Sequence, residues 1–186
     1  MSRNIAAFCI VFLSLAGNPS SLAGQSPSPE LDTVSKAVEN YFQKKGTEWK
    51  LKTVPAASPP GTQPGPYIVI QFWSSEKCLT AEVIIDGVNA GKHPVSCQLK
   101  LAIDQSTSDL AADTRLREFV RGEPSASPVS AGDKGYLWRG IDVVFLKGKF
   151  TFWLSGSVGL RVGDFTINRE FMEKLAKEIA DAVPGG

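Results

Sequence analysis

Residues 132–156, GDKGYLWRGIDVVFLKGKFTFWLSG, contain the clearest indication of secondary structure in this sequence. They contain two runs rich in aromatic and β-branched residues, which favour strands, and the runs meet at Lys147, Gly148 and Lys149. Two such runs around a short glycine-containing turn are typical of a β-hairpin. The segment therefore predicts two neighbouring antiparallel strands towards the C-terminal end of the chain.

The length of this turn decides which side chains share a face of the hairpin, because shifting the pairing by one residue turns a whole strand over. A two-residue loop at Lys147 and Gly148 makes one face wholly apolar. A three-residue loop would bring Asp142 to that face, where burial of an unpaired carboxylate is strongly unfavourable. We therefore predict the two-residue loop, with Phe145 opposite Phe150, Val143 opposite Phe152 and Ile141 opposite Leu154.

A C-terminal helix is expected to cover the apolar face of the hairpin. Asn168 is a suitable N-cap, and apolar residues follow it at helical spacing up to Val183. Three of them, Phe171, Leu175 and Ile179, need a sheet to pack against. The apolar face of the hairpin is therefore predicted to be core.

The opposite face of the hairpin carries a second set of apolar side chains, with Trp153 among them and with Tyr136 and Trp138 leading into it. Aromatic side chains on an exposed sheet face can stack on sugars or anchor a partner chain. Tyr136, Trp138 and Trp153 are therefore the candidate ligand-binding residues. The alternative is that Trp153 packs under a loop or under a helix near residues 110–120.

The rest of the chain predicts helices and strands in an order that fits an antiparallel sheet. Ser28 as cap and Pro29 at the first position begin an N-terminal helix that stops at Gly46. We predict one α+β domain, in which the N- and C-terminal helices pack on a twisted antiparallel sheet of about five or six strands. The further elements are strands at 48–54, 67–73, 79–85 and 94–103, the last three forming a meander, and a helix within 106–121.

The N-terminal residues have the pattern of a secretory signal peptide. Arg3 precedes an uncharged apolar run, and residues 21–23 fit the small-x-small motif before a cleavage site. The run is shorter than the ~20 residues of a spanning helix, and Cys9 lies within it rather than at the end of a lipobox. We predict a signal peptide at 1–23, a single domain at 24–186, a secreted or periplasmic protein, and no stable membrane insertion after cleavage.

Residues 55–66 are predicted to form a proline-rich surface loop. Proline cannot donate a hydrogen bond to a strand ladder, and five prolines lie between Pro55 and Pro66. In the alternative interpretation, this segment binds another protein, and the chain is a structural or inhibitory interaction module.

Cys78 and Cys97 are candidates for a disulfide, because exported proteins fold in an oxidising environment. Matching the apolar faces of strands 79–85 and 94–103 in a direct hairpin, however, places Val83 opposite Cys97. Cys78 is then about 16 Å away, whereas a disulfide requires Cα atoms within about 7 Å. The sequence leaves two alternatives: this register with two reduced buried cysteines, or a disulfide with another register.

The balance of charge argues against some classes of partner. The chain has 20 Lys and Arg against 19 Asp and Glu, and loss of Arg3 with the signal peptide makes the two numbers equal. Nucleic-acid binding requires a basic excess or patch, so we expect no nucleic-acid partner. The cysteines and His93 do not have the spacing of a zinc site, and we predict neither a metal site nor a cofactor.

No catalytic residue is predicted. His93, the only histidine, lies in a turn-rich segment without a G-x-S-x-G motif in the chain. Carboxylates such as Glu82, Asp86 and Asp142 could form a glycosidase pair, but their separation in space cannot be read from sequence. A secreted hydrolase that uses carboxylates or His93 is therefore the alternative to a binding protein.

Three motifs resemble the C-terminal part of small exported bacterial domains, namely mycobacterial exported lipoproteins and the extracellular sensor domains of their kinases. The motifs are GDKGY at 132–136, VVFLKGKFTFWLSG at 143–156 and FMEKLAKEIADAV at 171–183. The resemblance covers about fifty residues. It implies an antiparallel sheet flanked by helices and a binding rather than a catalytic role, and it carries over no functional residue. The sequence differs from these families by lacking a lipobox cysteine and any kinase or transmembrane segment.

Together these observations predict an exported, non-catalytic binding or sensor-like domain. Its partner would be a small molecule, a glycan or another exported protein. Recognition would use the aromatic sheet face around Trp153 and the loops beside it.

Overall fold

Seven strands form one antiparallel sheet in the computed structural model of this chain, which describes residues 28–45, 48–55, 67–85, 88–158 and 165–184. The sheet order is β1-β2-β3-β7-β6-β5-β4, so the predicted α+β class is confirmed. The elements are α1 (Pro29–Lys44), β1 (Lys50–Pro55), β2 (Tyr67–Ile85), β3 (Val88–Gln105), α2 (Asp109–Arg121), β4 (Ser127–Val129), β5 (Lys134–Trp138), β6 (Asp142–Lys147), β7 (Phe150–Val158) and α3 (Phe165–Ala182).

The strand count exceeds the predicted five or six. The sequence analysis assigned no strand to the segments that form β4 and β5. β4 is three residues long and contains Pro128, which is tolerated because β4 lies at the edge of the sheet. The signal-peptide prediction for 1–23 and residues 56–66 of the proline-rich loop lie outside the described residues.

The helices begin where polar side chains satisfy free backbone amides. Ser28 Oγ accepts a hydrogen bond from the Leu31 amide at 3.1 Å, and Ser108 Oγ accepts one from the Ala111 amide at 3.2 Å. The start of α1 agrees with the sequence prediction, and α2 lies within the predicted range 106–121. The start of α3 was predicted wrongly, because the helix begins at Phe165 and Asn168 lies in its first turn rather than at the cap.

The hairpin of β6 and β7 forms as predicted, but its register differs by two residues. Phe145 pairs with Phe152, and Lys147 pairs with Phe150, so the loop consists of Gly148 and Lys149. Gly148 has φ 54°, and a two-residue turn with positive φ at its first position favours glycine there. A shift by two residues leaves every side chain on its predicted face.

The apolar face of this hairpin is core, as predicted. Phe145 and Phe152 stack with their ring centroids 4.7 Å apart and are fully buried. Both α1 and α3 cover this face of the sheet. Leu175 and Ile179 of α3 and Val38 and Phe42 of α1 belong to the same buried cluster.

A single long strand replaces two strands of the predicted meander. Residues 67–85 are continuous as β2 and pair with β3 over almost their whole length, so the predicted break at 74–77 is wrong. The register shifts between Ser75 and Leu79, which is a local bulge rather than a turn. At the far end Ile85 pairs with Val88, so most of the predicted loop at 86–93 belongs to β3.

This bulge resolves the conflict between the disulfide and the hairpin register. Ser75, not Val83, lies opposite Cys97. The extra residues of the bulge bring Cys78 beside Cys97, with a Cα–Cα distance of 5.8 Å and the sulfur atoms bonded. The predicted pairing of Val83 with Cys97 was wrong, because the strands reverse direction nearer to Ile85 than the apolar pattern suggested.

Candidate ligand-binding site

Helix α2 lies on the face of the sheet opposite to α1 and α3. Its residues Ala112 and Leu116 are fully buried and form a second apolar cluster with Val144 and Leu146 of β6. The helix covers only one half of this face, the half formed by β5, β6 and β7. One face of the sheet is therefore covered by two helices, and the second face is half covered by α2.

The three aromatic residues singled out from the sequence come together at this second cluster. The rings of Trp138 and Trp153 meet edge to face at 4.9 Å, and Tyr136 packs beside the cluster. Trp138 is 8% exposed, with the Arg139 guanidinium 4.0 Å from its ring centroid. Trp153 is partly buried and meets Phe119 of α2 at 5.7 Å. Their role in ligand binding stays a prediction.

An ion pair fixes α2 to the middle of the sheet. Arg115 Nη2 lies 2.7 Å from Asp104 Oδ2 on β3. Burial raises the pKa of Asp104, and the charge and hydrogen bond of Arg115 only partly offset this rise. The other carboxylate oxygen of Asp104 is buried, as is the hydroxyl of Thr151, which lies opposite it on β7. Neither atom has a hydrogen-bond partner among the described residues.

The other half of this face, formed by β1, β2 and β3, is not covered by any helix among the described residues. Phe72 lies at its centre and is 41% exposed. Lys52 of β1 and Lys100 of β3 lie directly opposite Phe72 in the two registers, so both share its face. One step along the strands, Ala102 lies opposite Ile70 on β2 and Trp153 on β7. The open half therefore reaches the aromatic cluster at Trp153.

A trough of about 850 Å³ lies along α2, and its described lining residues all belong to this helix or to its N-cap Ser108. The described residues of its α2 wall include Ala111, Arg115 and Phe119, and Leu110, 75% exposed, forms its rim. Arg115 and Phe119 place the trough on the side of α2 that faces β3 and β7, because they contact Asp104 and Trp153. Its volume lies within the range of about 300–1,000 Å³ that is usual for small-molecule sites.

The sequence analysis missed Phe72 because both faces of its strand carry apolar residues. The face that is buried is the one that also carries the polar residue Gln71. Gln71 is fully buried against α1. Its Nε2 donates to Ser35 Oγ at 2.9 Å, and its Oε1 accepts from Trp73 Nε1 at 3.0 Å. A buried amide is tolerated when its hydrogen bonds are satisfied. Since neighbouring residues of a strand alternate between faces, Phe72 is turned to the open side. The signal present in the sequence was Ser35 of α1, a polar helix residue that can accept a hydrogen bond from Gln71.

The residues considered for catalysis do not assemble into a site among the described residues. His93 is exposed on β3, opposite Ala81. Glu82 is exposed on β2 and faces Lys92, whereas Asp142 begins β6, two strands further across the sheet than β3. Burial raises the pKa of Asp142, although its Oδ2 accepts a hydrogen bond from Trp153 Nε1 at 3.4 Å. The described parts of the chain hold no group of three His, Cys, Asp or Glu that could bind a metal ion.

A scan against models of known protein families, a search of curated proteins and a search of solved structures found no match to this chain. Within the described ranges, no helix combines the length and the apolar character needed to cross a membrane. The functional inference therefore depends on the geometry of the trough and of the open half-face.

Proposed function

We propose that this protein is an exported, non-catalytic binding domain that holds a small molecule in the trough between α2 and the open half of the sheet. The exposed aromatic side chain of Phe72 carries this proposal. A ligand that covers this phenyl ring on the open sheet face would gain about 25 cal/mol for each Å² of apolar surface removed from water. Export is supported by the disulfide between Cys78 and Cys97, since such bonds persist in oxidising compartments.

Trp153 belongs to the proposed site as its inner border. It lies opposite Ala102 on the sheet and contacts Phe119 of the α2 wall. A ligand in the trough would therefore lie between Phe72 and the edge of the cluster that contains Trp138 and Tyr136. In this proposal the aromatic residues predicted from the sequence border the ligand, and Phe72 is the main contact.

The experiment uses the neutral fluorescent probe N-phenyl-1-naphthylamine, titrated into the oxidised protein. Phe72→Ala is compared with Leu51→Ala, a matched control, because Leu51 is 37% exposed on the neighbouring strand but points to the other face, opposite Trp73. We expect Phe72→Ala to weaken probe binding about tenfold or more and Leu51→Ala to leave it unchanged. Equal effects of the two substitutions, or no saturable binding, would remove the trough as the site. Thermal unfolding of each variant verifies that it folds.

A further inference from the structure

We propose that the ligand of this trough is an amphipathic anion, whose acidic group lies at Lys52 and Lys100 and whose apolar body lies against Phe72 and the wall of α2. This inference rests on the proposed function, because it names the ligand chemistry of the same site. It goes beyond that function by predicting a strong preference for a negative charge.

The first observation is the state of the two lysines. Lys52 and Lys100 lie on the strands on either side of Phe72, directly opposite it in the two registers. Within the described residues neither ammonium group has a carboxylate within ion-pair distance, whereas Lys134 and Lys149 on the covered part of the molecule do. Two unpaired cations therefore flank one exposed aromatic ring.

The second observation is the distribution of the nearby carboxylates. Asp104 is already paired with Arg115. Glu48 and Glu76 lie in a separate polar hollow further along the strands, together with Lys50. Glu118 lines the α2 wall and is exposed. The centre of the open half-face therefore keeps a positive charge that an anionic ligand would neutralise.

The third observation is that the site is apolar as well as cationic. Phe72 of the open half-face and Leu110 of the α2 lining are two of the few exposed large apolar side chains in the described residues. Inorganic anions would leave both in water. A ligand that has an acidic group and an aromatic or alkyl body covers the apolar groups and pairs the lysines, which lowers the free energy through both contributions.

Two probes that differ only in charge test this inference. 8-Anilino-1-naphthalenesulfonate carries a sulfonate, and N-phenyl-1-naphthylamine has the same ring system without it. In the oxidised wild-type protein we expect the sulfonate probe to bind about tenfold more tightly than the neutral probe. The preference should shrink as the ionic strength rises from about 0.05 to 0.5 M, because exposed charges are screened.

The double variant Lys52→Gln, Lys100→Gln should abolish this preference, because it should weaken binding of the sulfonate probe much more than binding of the neutral probe. The matched control is Lys36→Gln, Lys174→Gln, which removes the same charge from α1 and α3, on the other face of the sheet. Those lysines are 66% and 77% exposed, so the control should fold normally and keep the preference.

The outcomes separate this inference from the proposed function. If both probes bind with equal affinity and Phe72→Ala weakens the binding of both, the proposed function is supported and the preference for an anionic ligand is wrong. If the control variant loses the preference as fully as Lys52→Gln, Lys100→Gln does, the effect is due to overall charge and the inference is overturned. If Phe72→Ala affects neither probe, the proposed function fails. Loss of the preference only in Lys52→Gln, Lys100→Gln supports the inference.

Discussion

Arg115 of α2 and Asp104 of β3 form an ion pair, at 2.7 Å between Nη2 and Oδ2, on the face of the sheet against which α2 packs. The pair lies at the boundary between the covered and the open half of that face. It therefore fixes the position of the helix that forms one wall of the proposed site. Four predictions follow from this ion pair and from three other features of the fold.

Asp104→Asn should change how stability depends on pH. Burial raises the pKa of Asp104 in the folded protein above its ordinary value of 3.8. The folded state therefore holds this proton more tightly, and the resulting stabilisation is present below about pH 3.8 and is lost as the pH rises through the folded pKa. The free energy of unfolding of the wild type minus that of Asp104→Asn should be most positive at low pH and should fall as the pH rises. Denaturant unfolding between about pH 3 and 7 measures this difference, and a flat or rising difference would contradict it.

Glu178→Gln should give the opposite slope. Burial raises the pKa of Glu178, but hydrogen bonds from Lys45 and Tyr41 outweigh this effect, and the pKa lies below its ordinary value of 4.5. The Lys45 Nζ to Glu178 Oε2 distance is 2.6 Å, and the Tyr41 hydroxyl donates to the same carboxylate. Such a group stabilises the fold above about pH 4.5, and this contribution is lost as the pH falls through the folded pKa. The wild-type advantage over Glu178→Gln should therefore shrink below pH 4.5 in the same unfolding series, and an advantage that grows there would refute the assignment.

The double substitution Cys78→Ala, Cys97→Ala should destabilise the protein by about 2–4 kcal/mol, because the disulfide restricts the unfolded chain. The bond lies at the start of the outer part of the β2–β3 hairpin. Beyond Ser75 and Cys97, these two strands pair with each other and with no other described strand. Amide hydrogen exchange should therefore speed up more in residues 79–95 than in β6. Urea unfolding with and without reductant gives the stability difference. Alkylation of both thiols in the unreduced protein would show that the bond is absent.

Gly132→Ala and Gly156→Ala should each destabilise the fold by about 2 kcal/mol. A Cβ at Gly156 would clash with the Gln98 carbonyl oxygen of β3, and one at Gly132, which has φ 61°, would clash with the Leu146 carbonyl oxygen. Gly122→Ala is the control, because the nearest atom to its added Cβ is 3.8 Å away, and its effect should stay within about 0.5 kcal/mol. Thermal unfolding compares the three variants. Equal melting temperatures would show that the strand contacts of Gly132 and Gly156 are looser than described.

The proposed site was only partly predictable from the sequence. Trp153 was identified from the sequence because both faces of its strand carry apolar side chains and only the other face was assigned to the core. Phe72 was not found, because Ile68 and Ile70 share its face while Val69 and Trp73 share the face of Gln71, so both faces of that strand are apolar. The contact between Gln71 and Ser35, residues far apart in the chain, decides which face is buried. The unpaired state of Lys52 and Lys100 likewise depends on which strands lie side by side.

From the sequence alone one could read the start of α1, the hairpin of β6 and β7, and which of the hairpin side chains face the core. These features depend on caps, on a turn glycine and on the two-residue period of a strand, all of which act over a few neighbouring residues. The strand registers depend on contacts between distant parts of the chain, since a shift by two residues keeps every side chain on its face. The position of α2 over half of the second face depends on such contacts as well, because an amphipathic helix can pack on any apolar surface that the rest of the fold leaves open.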